Sequence, residues 1–251
     1  MKFVGIIPAR YHSSRFPGKP LVMLNGKPMI IWVAERSSQS LGSDNVFVAT
    51  DDNRIADCVH DYGFKAVMTS ENALTGTDRL WEAAQQIDAD IYINVQGDEP
   101  LLNPDDILKV IKTKEKFPGE VINCMCQIKP GEDAGNTNIP KVVTTEENRL
   151  VYMSRLPIPG SKSLENRPHI FWKQVCIYAF TRAELNAFAA FGRKSYLESF
   201  EDIEILRFLE LGIPIRMVET SATSHAVDVP EDVPLVEAAL KRLFDRAEKE
   251  H

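Results

Sequence analysis

"KFVGIIPARYHSSRFPGKPL", residues 2–21, decides the fold. Its opening, "KFVGII", is a continuous apolar run bounded by Pro8, as a strand buried on both faces of a parallel sheet requires. The runs "NVFVAT" (45–50), "KAVMT" (65–69) and "DIYINVQ" (90–96) repeat that pattern. Between them lie three helix-like stretches. "KPMIIWVAERSSQSL" carries Pro28 near its start, "DDNRIADCVHDYG" opens on Asp and closes at Gly63, and "GTDRLWEAAQQI" follows. Strands alternating with helices at this spacing predict right-handed crossovers and a doubly wound, mainly parallel, Rossmann-like α/β sheet. Ligands of such sheets sit beyond the carboxyl ends of the strands.

After Pro118 the pattern changes. "EVINCMCQI", "PKVVTT", "RLVYMSR" and "WKQVCIYAF" read as strands joined without helices, with "PGEDAGNTNIP" and "PGSKSLENRP" as loops. The reading is therefore one domain over residues 1–251 with a β-rich insertion at 119–180. A helix near 181–190, a longer one over "YLESFEDIEILRFLELG", a strand "PIRMVET" and a terminal helix from about Pro230 complete the chain.

The chain of 251 residues is 44% hydrophobic and 26% charged, which fits an ordinary globular protein with a sizeable core. A net charge of −7 argues against gripping nucleic acid or anionic membrane through bulk electrostatics. No apolar stretch approaches a membrane span or a secretory segment. Cys58, Cys124, Cys126 and Cys176 show no paired metal spacing and read as free thiols of a reducing cytoplasm. Local charge differs from the bulk: Met1 to Ala34 holds five Lys or Arg and no Asp or Glu. Such a positive island in an acidic chain points to an anionic ligand.

Three loops carry the chemistry. The first offers Arg10, Arg15 and Lys19 with the hydroxyls of Ser13 and Ser14, and Gly18 lets the backbone approach a ligand closely; guanidinium forks and an ammonium suit a polyphosphate. Neither G-x-x-x-x-G-K-[ST] nor G-x-G-x-x-G occurs. The second loop, "NVQGDEP" (94–100), delivers Gln96, Asp98 and Glu99 at a strand end, hard oxygen donors of the kind Mg²⁺ prefers, although Glu99 also suits a turn. The third, "AVDVPED" (226–232), presents Asp228, either as a helix N-cap or as a second carboxylate at the same sheet edge. Two carboxylates facing a phosphate loop make a metal-assisted phosphoryl or nucleotidyl transfer site. "SENALTGTDRL" adds Thr77, at a helix start where capping explains it equally well, and Arg79, which also suits the surface.

"IIPARYHSSRFPGKPL", "TGTDRL", "NVQGDEPL", "KVV", "SRLPIP", "IYAF", "YLESFEDIEILRFLELG" and "VDVPED" resemble, in this order and over nearly the whole chain, the 3-deoxy-D-manno-octulosonate cytidylyltransferases, or CMP-Kdo synthetases. The resemblance implies a nucleotidyltransferase fold and transfer of CMP from CTP to an acidic 3-deoxy sugar with release of pyrophosphate, feeding lipopolysaccharide or capsule assembly. It implies Arg10 and Lys19 on the triphosphate, with Ser13, Ser14 and Arg15 close by. Asp98 and Asp228 would carry Mg²⁺, and Gln96, Thr77 and Arg79 would lie near the nucleotide or reacting centre. It also implies a homodimer formed through the β-rich insertion.

The sugar side would use Arg155, Gln174, Tyr178, Glu204 and Ile205. Departures cluster there: K-H-x-G-[IL]-Y appears as "KQVCIY", with Gln174 for His and Cys176 for Gly, and L-E-Q-L-R appears as "IEILR", with Ile205 for Gln. V-D-T-P-E-D is likewise "VDVPED". An 8-amino octulosonate or a nonulosonate is the nearest alternative substrate. A metal-dependent glycosyltransferase would need D-x-D where "GDEP" stands, and a non-catalytic nucleotide sensor would not need both Asp98 and Asp228.

Overall fold

The computed structural model describes residues 1–13, 16–129, 131–166, 168–221 and 225–247. The chain begins with β1 (Phe3–Ala9), a small ladder of β2 (Met23–Leu24) and β3 (Lys27–Pro28), α1 (Met29–Leu41), β4 (Val46–Thr50), α2 (Asn53–Asp61) and β5 (Lys65–Met68). There follow α3 (Gly76–Gln86), β6 (Ile91–Val95), α4 (Pro104–Lys116), β7 (Val121–Gln127), β8 (Lys141–Thr144), β9 (Leu150–Ser154) and β10 (Trp172–Thr181). The last elements are α5 (Arg182–Ala190), α6 (Tyr196–Glu201), α7 (Leu206–Glu210), β11 (Ile215–Glu219) and α8 (Val233–Ala247). The chain forms two compact units, residues 1–107 with 223–251, and residues 108–222.

In the first unit β1 pairs in parallel with β4 on one side and β6 on the other, and β4 pairs in parallel with β5, giving the order β6-β1-β4-β5. The chain thus winds outward from β1 through β4 to β5 and then returns to β1's other edge as β6. That reversal is the doubly wound switch point, and it opens the crevice outside the carboxyl ends of β1 and β6. The strands are as apolar as a doubly covered sheet demands, with Ile6, Ile7, Val48 and Ile93 fully buried. A second cluster joins Leu24, Met29, Trp32, Leu101, Val227, Val236 and Leu240, so α8 is held to the start of the chain by apolar contact. The Asn25-Gly26 turn between β2 and β3 has both residues at positive φ, as a two-residue hairpin of this type needs. It receives α8 directly, since Asn25 donates its backbone N–H to Glu237 Oε1 at 2.8 Å.

In the second unit β7 pairs in parallel with β11 and antiparallel with β10, which continues antiparallel through β8 to β9. Buried charge here is paired: Arg207 donates Nε and Nη2 to the Glu198 carboxylate, both at 2.7 Å. Two elements differ from the sequence reading. The stretch 196–212 is not one helix, because Asp202 takes a left-handed φ of 50° and ends α6, and α7 starts anew. Helix α4 was not expected, although Pro104, the acidic Asp105 and Asp106 of its first turn and Lys114 and Lys116 of its last are ordinary boundary signals. The four cysteines are free. No helix among the described residues is long and apolar enough to cross a membrane.

Glu120 ties the edge of this second unit together. It accepts from Arg149 Nη2 at 2.7 Å and from Arg216 Nε at 2.9 Å, and the Arg216 guanidinium lies 3.6 Å over the Phe117 ring. Burial pushes the Glu120 carboxyl up, but the two guanidinium groups outweigh it and hold the group below its ordinary value. A depressed carboxyl stabilises the fold above its unfolded pKa and loses that contribution as pH falls through the folded one. Glu120→Gln is therefore expected to unfold at lower urea concentration than the parent at pH 7. The difference should shrink progressively below about pH 4.

Candidate functional site

The site begins where β1 ends. Arg10 is the first exposed residue after the buried run, and the chain then turns on itself, with Gly18 donating its N–H to the Tyr11 carbonyl at 2.9 Å. Gly18 has φ 71°, and a Cβ there would stand 3.3 Å from the Tyr11 ring, so both backbone and packing require glycine. The Arg54 guanidinium lies over the Tyr11 ring at 3.3 Å, itself fixed by donating Nε and Nη2 to Asp52 at 2.9 and 2.6 Å. That guanidinium in turn holds the Asp52 carboxyl below its ordinary range. Within the loop, Ser13 Oγ accepts the Phe16 N–H at 3.4 Å. Ser14 and Arg15, expected near a phosphate, lie outside the described residues.

Lys19 opens a single 3-10 turn, Lys19–Leu21, and its ammonium reaches the acidic loops. It donates to Asp98 Oδ2 at 2.6 Å and lies 3.7 Å from Asp228 Oδ1. The backbone puts both carboxylates within its reach. A Cβ at Gly97 would stand a tight 3.0 Å from the Pro8 carbonyl and 3.3 Å from Ile30 Cδ1, so the end of β6 lies close against the end of β1. The Asp98 carbonyl then accepts the Val227 N–H at 3.0 Å, which staples "GDEP" to "AVDVPED". The N-cap position of the Pro230–Asp232 turn is Val229, not the Asp228 that one reading of the sequence expected. The Asp232 carboxylate reaches back to accept the N–H groups of Asp228 at 2.7 Å and Val229 at 2.9 Å. The Asp228 carboxylate lies toward Lys19.

Mg²⁺ suits this donor set. Two hard carboxylates already share one cation, and with side-chain exposures of 27% and 43% both can be reached from solvent. No cluster of three or more His, Cys, Asp or Glu able to hold a metal occurs among the described residues. An ion held here would take its remaining ligands from water and substrate oxygens, the usual habit of Mg²⁺.

At the same carboxyl edge lies a cavity of about 440 Å³ lined by Arg10, His12, Asp51, Glu71, Asn72 and Arg79, among others. Arg79 is a buried member of it, not a surface side chain, donating to Asp51 Oδ2 at 3.0 Å and to Thr69 Oγ1. Thr77 is buried too, and the N-cap of α3 is its neighbour Thr75, whose hydroxyl oxygen accepts the Asp78 N–H at 3.2 Å. Gln96 ends β6 half-buried, its carbonyl accepting the Glu99 N–H at 3.3 Å, so Glu99 sits in the turn. His12, Asp51, Glu71 and Asn72 were not among the expected site residues. The signal for Asp51 was present, since "ATDD" leaves β4 as abruptly as "QGDE" leaves β6.

The five residues assigned to the sugar side all belong to the second unit. Arg155 is spent on backbone carbonyls, those of Thr137 and Asp202 at 2.9 Å and that of Glu201. Ile205 is 1% exposed and its side chain lies in the core, where it serves packing. Gln174 and Tyr178 do meet, with Gln174 Nε2 donating to the phenol oxygen at 3.2 Å and to Asn123 Oδ1 at 3.0 Å. Burial first, and then Cys176 and the Glu204 charge, push the Tyr178 phenol well above its ordinary value, so it stays neutral.

A family profile described as Cytidylyltransferase matches residues 4–217. The 8-amino-3,8-dideoxy-manno-octulosonate cytidylyltransferase of Shewanella piezotolerans (strain WP3 / JCM 13877) is 42% identical over 242 residues, which are 94% of this chain and 97% of that protein. Its namesake from Shewanella frigidimarina (strain NCIMB 400) is 41% identical over 247 residues, 96% of this chain and 99% of the relative. Among solved structures, a CMP:2-keto-3-deoxy-manno-octonic acid synthetase complexed with CTP superposes with a TM-score of 0.89 at 40% identity, covering 96% of this chain and 99% of the other. A 4-diphosphocytidyl-2C-methyl-D-erythritolsynthase from Anaerococcus prevotii DSM 20548, at 15% identity and a TM-score of 0.63, shares the fold alone. With its basic loop, its paired carboxylates and its mainly parallel sheet all inside the matched length or flanking it, the chain belongs to the cytidylyltransferase family.

Proposed function

We propose that this chain transfers the cytidylyl group of CTP to the anomeric hydroxyl of an acidic 3-deoxy octulosonate, releasing pyrophosphate. It would do so in the cytoplasm, as the sugar-activating step for lipopolysaccharide or capsule. The observation that carries this reading is the convergence of Asp98 and Asp228 on the Lys19 ammonium, at the sheet edge that also bears Arg10 and the cavity. The names of the Shewanella relatives favour a second reading, in which the acceptor is the 8-amino sugar.

In the reaction the anomeric oxygen attacks the α-phosphorus in line, the bond from that phosphorus to its bridging oxygen breaks, and pyrophosphate leaves with the electron pair. Arg10 and Lys19 supply donors to the triphosphate, where charge develops on the departing oxygen. Asp98 and Asp228 would hold Mg²⁺, which neutralises the polyphosphate when bound. No covalent protein intermediate is required. The cavity beside Arg10 and Arg79 offers buried polar edges for the nucleoside. We further propose a homodimer through the second unit, where Tyr196 and Phe200 expose rings that meet edge to face with centroids 4.9 Å apart and Val151 is exposed on β9. Sedimentation of a species of half the mass after Phe200→Asp would support it, and an unaltered mass would not.

The function is tested by incubating the chain with CTP, Mg²⁺ and each of the two octulosonates and following pyrophosphate and the CMP-sugar by mass. Product that requires both the sugar acid and the divalent ion is expected. Pyrophosphate release without any sugar acid would point to a hydrolase instead.

Asp98→Asn and Asp228→Asn keep shape and remove one charge each, so turnover should fall more than ~10²-fold, since even outer-shell metal partners are worth ~10–100-fold. Lys19→Ala should weaken binding of CTP more than of CMP, because the lost donor serves phosphates that CMP lacks. Calorimetry that found equal losses for both nucleotides would place Lys19 outside the triphosphate contact.

A further inference from the structure

Among the described residues, three buried side-chain nitrogen or oxygen atoms have no hydrogen-bond partner, and two of them are Nδ2 and Oδ1 of Asn94. Asn94 is fully buried in β6, two residues before Gln96 and four before the Asp98 that holds Lys19. A buried amide with neither its donor nor its acceptor answered weakens a fold, and an apolar side chain of similar size would remove that cost. Its place in the strand that leads to the carboxylate loop therefore calls for a reason other than stability.

Side chains alternate along a strand, so Tyr92, Asn94 and then Gln96 belong to one face of β6. Tyr92 identifies that face, because its hydroxyl donates to the Ile87 carbonyl just past α3 at 2.8 Å. Helix α3 packs on β1 and β6, and the residues it buries there, Leu80, Ala83 and Ala84, have no polar side-chain atom. Neither has Ile6 of β1, which stands in register with Asn94. Toward the carboxyl edge the same face carries Gln96, half-buried, whose amide likewise has no bond to any described residue. Alternate residues of a strand are about 6.6 Å apart, a span that two amide side chains can close.

We propose that Asn94 is a positioning residue for the nucleotide: its amide pairs reciprocally with the amide of Gln96 when CTP binds, and so aims the remaining N–H of Gln96 at a phosphate oxygen. The inference rests on the proposed function and adds to it the residue that sets the direction of Gln96. In such a pair each amide donates one N–H to the other's oxygen, which answers both Nδ2 and Oδ1 of Asn94 at once. One N–H of Gln96 is then left over. Phosphate oxygens only accept, so they reward that orientation of the amide and not its reverse. The ligand thereby favours the paired arrangement over the unpaired one, and part of its affinity comes from bonds that Asn94 lacks without it.

The test measures the urea midpoint, and the affinity for CTP by calorimetry with Mg²⁺ and no sugar acid, in the parent chain, Asn94→Val, Asn94→Ala, Gln96→Ala and the double variant Asn94→Val with Gln96→Ala. Val removes both polar atoms and suits a strand, and Ala cannot overpack the site. Asn94→Val should unfold at a urea concentration no lower than the parent's, yet bind CTP ~10-fold more weakly, and Asn94→Ala should lose the same affinity. Gln96→Ala should lose at least as much. The double variant should then bind no more weakly than Gln96→Ala alone, because Asn94 acts only through Gln96. An unchanged affinity in Asn94→Val, losses that multiply in the double variant, or a urea midpoint for Asn94→Val well below the parent's would overturn the assignment while leaving the cytidylyltransferase reading intact. A parent that does not bind CTP would overturn that reading and this assignment together.

Discussion

Two carboxylates held by backbone geometry at one sheet edge repel each other, and the first unit resolves this with a single ammonium. At an effective dielectric of about 20, unit charges some 4 Å apart interact by about 4 kcal/mol. The backbones that carry Asp98 and Asp228 are held together, because the Asp98 carbonyl is bonded to the Val227 N–H and Gly97 lies close against Pro8. Lys19 supplies the cation from a third segment. The glycine at position 18, the 3-10 turn after it and the Tyr11 stack all serve to deliver that one side chain. Three loops distant in sequence are therefore brought together by one electrostatic requirement, and two carboxylates and an ammonium share one sheet edge because of it.

The parallel strands of the first unit were legible in the sequence because a parallel sheet covered on both faces leaves continuous apolar runs, and the residues just past those runs stand at the sheet's carboxyl edge. Arg10 and Asp98 could be picked out for that reason, and Lys19 and Asp228 for their charge in the loops that meet there. Arg79 was harder, since only the fold reveals that a guanidinium three residues into a helix is buried and paired with Asp51. Glu71 went unread because a lone acidic residue after a strand is equally good as a cap or a solvated turn.

The second unit was less legible, and for a different reason. Alternation predicts a strand but not a bulge, so nothing in "WKQVCIYAF" announces that Gln174 and Tyr178 meet. The run 196–212 has a helical period throughout, yet Asp202 breaks it, because one left-handed residue costs little for Asp and periodicity does not register it. Ile205, which a comparison of motifs set on the sugar side, is 1% exposed. A polar-to-apolar change at a motif position is as easily a repacking as a change of specificity, and burial is what separates the two.

A common device links the two units. In the first, Asp232 takes the N–H groups of Asp228 and Val229, which fixes the backbone that carries the Asp228 carboxylate. In the second, Asn123 takes the carbonyls of Val175 and Ile177, which dictates the direction of the Gln174 amide. In each case a short polar side chain saturates the backbone, and by doing so decides what a neighbouring side chain can offer. Neither Asp232 nor Asn123 looks chemical in the sequence, one being the tail of an acidic turn and the other a polar residue inside an apolar strand. Their effect is transmitted because a buried backbone group must be paired, so the direction of every later bond is forced. Orientation at both places is therefore set by a neighbour that itself bonds only the backbone or an amide.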